Sequence, residues 1–123
     1  MHNVILYLGR ILFGGFFIMS GYSHFAKLKM MAGYTQSKGV PAANVAVAVT
    51  GLLLLIGGIS TLFNFYPEIG LIALIVFLVP VTFTMHAFWK VQDPMARMGE
   101  RVNFTKNLAI LGGALLLLSG FFN

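Results

Sequence analysis

The chain has 123 residues, enough for one domain, of which 59% are hydrophobic and only 9% charged. A soluble domain carries about 25% charged residues, so a surface in contact with water is excluded and lipid is the natural solvent; the mean hydropathy of +0.90 agrees. There is no cysteine, which rules out disulfides, thiolate metal sites, iron–sulfur clusters and dithiol chemistry within the chain, and the net charge of +5 sits beside apolar segments, where it reads as membrane topology and anionic headgroup contact, not nucleic-acid binding.

Residues 4–22 form the first apolar stretch. No basic segment precedes it and no small-residue cleavage site follows it, so it is expected to remain as a spanning helix, not a cleaved leader. A helix needs about 20 apolar residues to cross the hydrocarbon, and in lipid every backbone amide must be paired internally. Residues 24–41 make a basic connection with Lys27, Lys29 and Lys38, in which Met30-Met31-Ala32 can start a short interfacial helix before the turn Gly39-Val40-Pro41. The second span is 42–63, the tight turn 64–68 reads Asn-Phe-Tyr-Pro-Glu, and the third span is 69–89 with a kink expected at Pro80. Residues 90–103 form a second polar connection with Lys90, Asp93-Pro94, Arg97, Glu100 and Arg101, where Pro94 can open a short helix. The fourth span is 104–122. The expected fold is all-α, an integral membrane four-helix antiparallel bundle in which sequential helices are neighbours. Glycines in the first, second and fourth spans are expected to serve close helix packing, inside the bundle or in a homo-oligomer.

Lys and Arg cluster in the first and third connections, and the second connection and both ends carry none. Positive charge is retained inside the cell, so both termini are expected outside and the basic connections in the cytoplasm.

Polar side chains within spans are costly and each needs a reason. Arg10 shares a helical face with Gly14, Phe17, Gly21 and His24. It either holds a carbonyl or anionic group inside the bundle, or turns outward to reach the headgroups or to pair with Glu68; the N-terminal lean of helical side chains favours the outward reading. His24 and His86 close the first and third spans at the cytoplasmic end, with Thr82 on the face of His86 and Ser20, Trp89, Lys106 and Asn107 expected at the same depth. One by one these residues read as interfacial anchors; together they read as a site, since a histidine can move protons or donate to a carbonyl. The candidate ligand-binding set is Arg10, Ser20, His24, His86, Trp89 and Asn107. Asp93 is the only acidic residue expected near that depth, so neither a metal, a haem nor a hydrolase triad is expected.

The ordered set Gly9-Arg10, Ser20-Gly21, Lys27, Lys38-Gly39-Val40-Pro41, Gly51, Gly57-Gly58, His86-Ala87-Phe88-Trp89, Asp93-Pro94 and Phe104-Thr105-Lys106-Asn107 resembles the DoxX family of bacterial four-helix membrane proteins, over nearly the whole chain. The resemblance implies a protein of the bacterial cytoplasmic (inner) membrane, of a kind described as an oxidoreductase subunit, with some relatives like the membrane part of a thiosulfate:quinone oxidoreductase. It implies a quinone as the bound cofactor or substrate and a redox partner subunit. The matching polar positions are Arg10, Ser20, Lys27, His86, Trp89, Lys106 and Asn107. A thiol-based mechanism does not carry over to a chain without cysteine. Beside this stands a second reading, a non-catalytic membrane scaffold, chaperone or anchor for a soluble partner that docks on the basic connections. A carrier or channel is a third, which would require oligomers because four helices enclose little pore.

Overall fold

The computed structural model describes residues 1–122. It is all-α, with α1 at His2–Ala26, α2 at Leu28–Ser37, α3 at Ala43–Phe63, α4 at Pro67–Met85, a 3-10 turn at Phe88–Lys90 and α5 at Pro94–Ser119. Strands are absent among the described residues. The four long helices α1, α3, α4 and α5 are each long and apolar enough to cross a membrane. The expected four-span, all-α bundle is therefore the architecture observed. Residues such as Leu12 and Met19, each 72% exposed, face outward because hydrocarbon is their solvent.

Two stretches differ in backbone from a simple helix-and-loop reading. The α-helix of the third span ends at Met85, although the candidate span itself runs on through the 3-10 turn to Lys90. His86 leaves helical geometry, and the chain turns back so that Phe88 and Trp89 meet Phe104 of α5 edge-on at 5.4 and 5.5 Å between ring centroids. The polar connection 90–103, in turn, is mostly helix. Asp93 caps α5 by accepting from the Ala96 amide at 2.9 Å, Pro94 takes the first turn, and nothing after them breaks the helix before Ser119. Residues 94–103 thus add about 15 Å of polar helix ahead of the apolar part of α5, at 1.5 Å per residue. The interfacial helix started at Met30 is present as α2, bounded by Lys27 and Lys38.

Neighbours pack in chain order: α1 on α3, α3 on α4, α4 on α5, with α2 lying against α3. No comparable contact joins α1 to α5. The bundle is consequently open along one seam, where a compact four-helix bundle would be closed. The closed side is set by glycine. A Cβ on Gly14 would stand 2.8 Å from the Gly58 carbonyl oxygen, and a Cβ on Gly58 would stand 2.8 Å from that of Gly14. The two backbones touch there, and dispersion between them replaces the hydrophobic drive that lipid removes. The core of Phe17, Leu54, Leu74 and Leu78 is built around this contact. Gly112 and Gly113 of α5, expected to pack, meet nothing within 4 Å. The α4 helix is continuous through Pro80, whose missing amide leaves the Val76 carbonyl without its intrahelical donor.

Replacing Gly58 by Leu is expected to force α1 from α3 and to destabilise the protein by roughly 1–3 kcal/mol or more. Gly15→Ala on the same α1, where a Cβ meets nothing within 4 Å, is expected to be neutral or mildly stabilising, by up to about 1 kcal/mol. Unfolding in mixed micelles, followed by circular dichroism, compares the two.

Candidate functional site

At the end of the bundle where α1 meets α2, the helices splay around a cavity of about 440 Å³. Phe16, Phe17, Phe77, Leu78, Val81 and Ile110 supply apolar walls. Ser20 and His24 of α1, Tyr34 and Thr35 of α2, Thr50 of α3, His86 at the end of α4, and Lys106 and Asn107 of α5 supply polar ones. Apolar walls with a few convergent polar groups are the ordinary composition of a site for an amphipathic small molecule. The cavity borders the open seam: Phe16 and Lys106 stand on its two sides, with the Lys106 Nζ 6.0 Å over the Phe16 ring.

Several of these polar groups are satisfied within their own helix. The hydroxyls of Thr35 and Thr50 donate to the carbonyls of Met31 and Ala46, at 2.8 and 2.7 Å. His24 is 8% exposed and its Nδ1 lies 2.8 Å from the Ser20 carbonyl. Asn107 differs. It is also only 8% exposed, yet no group among the described residues hydrogen-bonds its amide. Its amide atoms retain contactable surface, since the Thr82 hydroxyl is the one occluded polar side-chain atom without a partner among the described residues. Asn107 thus presents an open donor and acceptor on the cavity wall. Thr82, on the face of α4 that carries His86, is fully buried and does not line the cavity.

Of the six residues singled out from the sequence, Ser20, His24, His86 and Asn107 share this cavity. Trp89 does not: it is 48% exposed and stacks edge-on against Phe88 and Phe104. Arg10 lies fourteen residues before His24 in α1, about 21 Å away along the helix. Its guanidinium sits 5.7 Å from the Tyr7 ring, and the expected pair with Glu68 does not form.

The ion pairs among the described residues converge instead on Glu100. Glu100 lies in the part of α5 that precedes the apolar span, and it is 8% exposed. Lys38 pairs with its Oε2, the Tyr34 hydroxyl donates to Oε2 at 2.6 Å, His86 Nδ1 lies 3.1 Å from Oε1, and the Asn103 amide donates to Oε1 at 3.3 Å. This carboxylate ties α2, the end of α4 and α5 together just behind the cavity wall. Desolvation raises its pKa, but Lys38, Tyr34, His86 and Asn103 together outweigh that and hold it down at about 2. Burial pushes the Tyr34 phenol up, and the hydrogen bond and charge of Glu100 push it further. The expectation that Asp93 is the only acidic residue near the histidines is therefore corrected. Placing Glu100 in a loop hid it. Helical register read backward from Asn107 would have found it, because positions 107, 103 and 100 fall on one face.

These features define a multi-span helical membrane protein with a half-open amphipathic cavity and a buried carboxylate bracing its rim. The family model described as DoxX matches residues 5–87, and the chain belongs to the DoxX family. The match ends at Ala87, so Glu100, Lys106 and Asn107 lie beyond it. No curated protein and no solved structure matches the chain.

Glu100→Ala is expected to leave Lys38, Tyr34 and His86 without their acceptor, to cost roughly 1–3 kcal/mol, and to speed amide hydrogen exchange across Leu28–Ser37. A carboxyl titrating below its ordinary 4.5 contributes its stabilisation above that pH and loses it as pH falls toward about 2. Protection factors in α2 of the native protein, taken against the intrinsic rate at each pH, should fall over that window, and those of Glu100→Gln should not.

Proposed function

We propose that this protein is the ligand-holding membrane subunit of an oxidoreductase system, and that its cavity takes a small amphipathic molecule of the quinone class. The observation that carries this reading is Asn107, nine-tenths buried with its amide unpartnered, beside His24 and His86 in a cavity walled mostly by apolar side chains. A buried polar group without a partner costs about 1–3 kcal/mol, and a ligand's carbonyl or hydroxyl offsets that cost. Ser20, His24, His86 and Asn107 are the proposed headgroup contacts, and the seam beside Phe16 and Lys106 accommodates an apolar tail. The chain offers no redox group of its own, since cysteine is absent. Electrons would come from a partner, for which the exposed Lys29, Lys90, Arg97 and Arg101 form a basic docking face.

The quinone reading is tested by titrating decylubiquinone into the protein in nanodiscs. Asn107→Ala is expected to weaken binding by about tenfold or more, the worth of one lost hydrogen bond of about 1.4 kcal/mol. Arg10→Ala is expected to leave binding unchanged. Absence of any binding would leave the anchor reading, in which only the basic face acts.

We further propose that the basic connections face the cytoplasm and both termini the outside, by the retention of positive charge. The absence of native cysteine makes the test clean. In intact cells, Phe65→Cys is expected to react with a membrane-impermeant maleimide, and Lys29→Cys and Arg97→Cys to react only after permeabilisation.

A further inference from the structure

The two histidines of the cavity are held in the same way. The Nδ1 of His24 lies 2.8 Å from the Ser20 carbonyl oxygen. A backbone carbonyl has no proton to give, so this nitrogen must carry the hydrogen. The Nδ1 of His86 lies 3.1 Å from Glu100 Oε1, on a carboxylate that already pairs with Lys38 and accepts from Tyr34. An ion-paired carboxylate accepts and does not donate, so Nδ1 of His86 carries the hydrogen too. The partner of Nδ1 fixes the tautomer. In each neutral ring Nε2 is then a bare acceptor. Neither Nε2 has a hydrogen-bond partner among the described residues, and neither is an occluded atom. Two independent elements, a backbone carbonyl in α1 and a carboxylate in α5, thus present two lone pairs at one cavity.

Donors at the same cavity do not discriminate. Lys106 and the amide of Asn107 can donate to a carbonyl or to a hydroxyl oxygen, since both have lone pairs. Only the hydroxyl can also satisfy Nε2. A carbonyl placed there meets lone pair with lone pair and leaves the acceptors unpaired, and a site built to bond a hydroxyl rejects the analogue without one.

We infer that the cavity selects a ligand that donates hydrogen bonds from hydroxyl groups, which in the quinone class is the reduced dihydroxy form in preference to the dicarbonyl form. This rests on the cavity reading of the preceding subsection and specifies its ligand. Glu100 is a positioning residue in this scheme: it touches His86 and not the ligand, and it acts by fixing which ring nitrogen carries the hydrogen.

Binding of decylubiquinol and decylubiquinone is compared anaerobically on the full chain in nanodiscs at about pH 8, above the ordinary histidine range. The reduced form is expected to bind at least about tenfold tighter. Nitrogen NMR of histidine-labelled protein should show His24 and His86 both protonated at Nδ1. Equal binding, or tighter binding of the oxidised form, overturns this inference and leaves the cavity reading standing. Binding of neither form overturns both. Glu100→Gln can donate to Nδ1 and so release the His86 tautomer, and it is expected to narrow the preference. Should that variant fail to fold, the nitrogen spectrum of the native protein decides alone, since an Nε2–H tautomer in either ring sinks the proposal.

Discussion

Hydrocarbon gives a helix no partner for its amides and no drive to associate, and both halves of that constraint shape this protein. The first makes every span a helix. The second means that helices stay together only where their backbones come close enough for dispersion and dipoles to act. Gly14 and Gly58 provide that approach between α1 and α3, and the buried Phe17, Leu54, Leu74 and Leu78 fill the space around it. No matching contact draws α5 to α1, and Gly112 and Gly113 have nothing opposite them. The cavity exists because one side of the bundle is locked by glycine and the other is not.

At the cytoplasmic rim, as proposed, the constraint relaxes and polar chemistry becomes affordable. Glu100 is buried there, and a lone buried carboxylate would neutralise itself. Four neighbours keep it charged instead: Tyr34 from α2 and Lys38 at its C-terminal end, His86 from the end of α4, and Asn103 from its own helix. The network fastens a short interfacial helix that has little hydrophobic reason to stay. Ser20, His24 and Asn107 in front of it have no carboxylate partner among the described residues: Asp93 caps α5 and Glu68 lies in the first turn of α4.

Much of this was legible in the chain. Length, hydropathy and the polar breaks identify four spans, because a helix in lipid has one viable length and no alternative structure. The shared face of Gly14, Phe17, Gly21 and His24 was readable from register, and it is the buried face of α1. The ends of α4 and α5 were not readable in the same way. His86 departs from the helix because Phe88 and Trp89 find Phe104, a contact between residues distant in the chain. Residues 94–103 look like a loop by hydropathy, and they are helical because Asp93 and Pro94 begin a helix that nothing then stops. Hydropathy reports the solvent, not the backbone, and for that reason Glu100 was hidden in plain register. Arg10 is unusual in its depth in the span, and its end of α1 carries no residue of this cavity.

The unlocked seam between α1 and α5 has a consequence for measurement. A molecule that enters beside Phe16 and Lys106 arrives from the bilayer, where its local abundance is set by partitioning and not by what is dissolved in the buffer. Occupancy would then follow the mole ratio of ligand to lipid. Adding empty vesicles or micelles would strip the protein by dilution alone, and an aqueous dissociation constant would report mostly how greasy the ligand is.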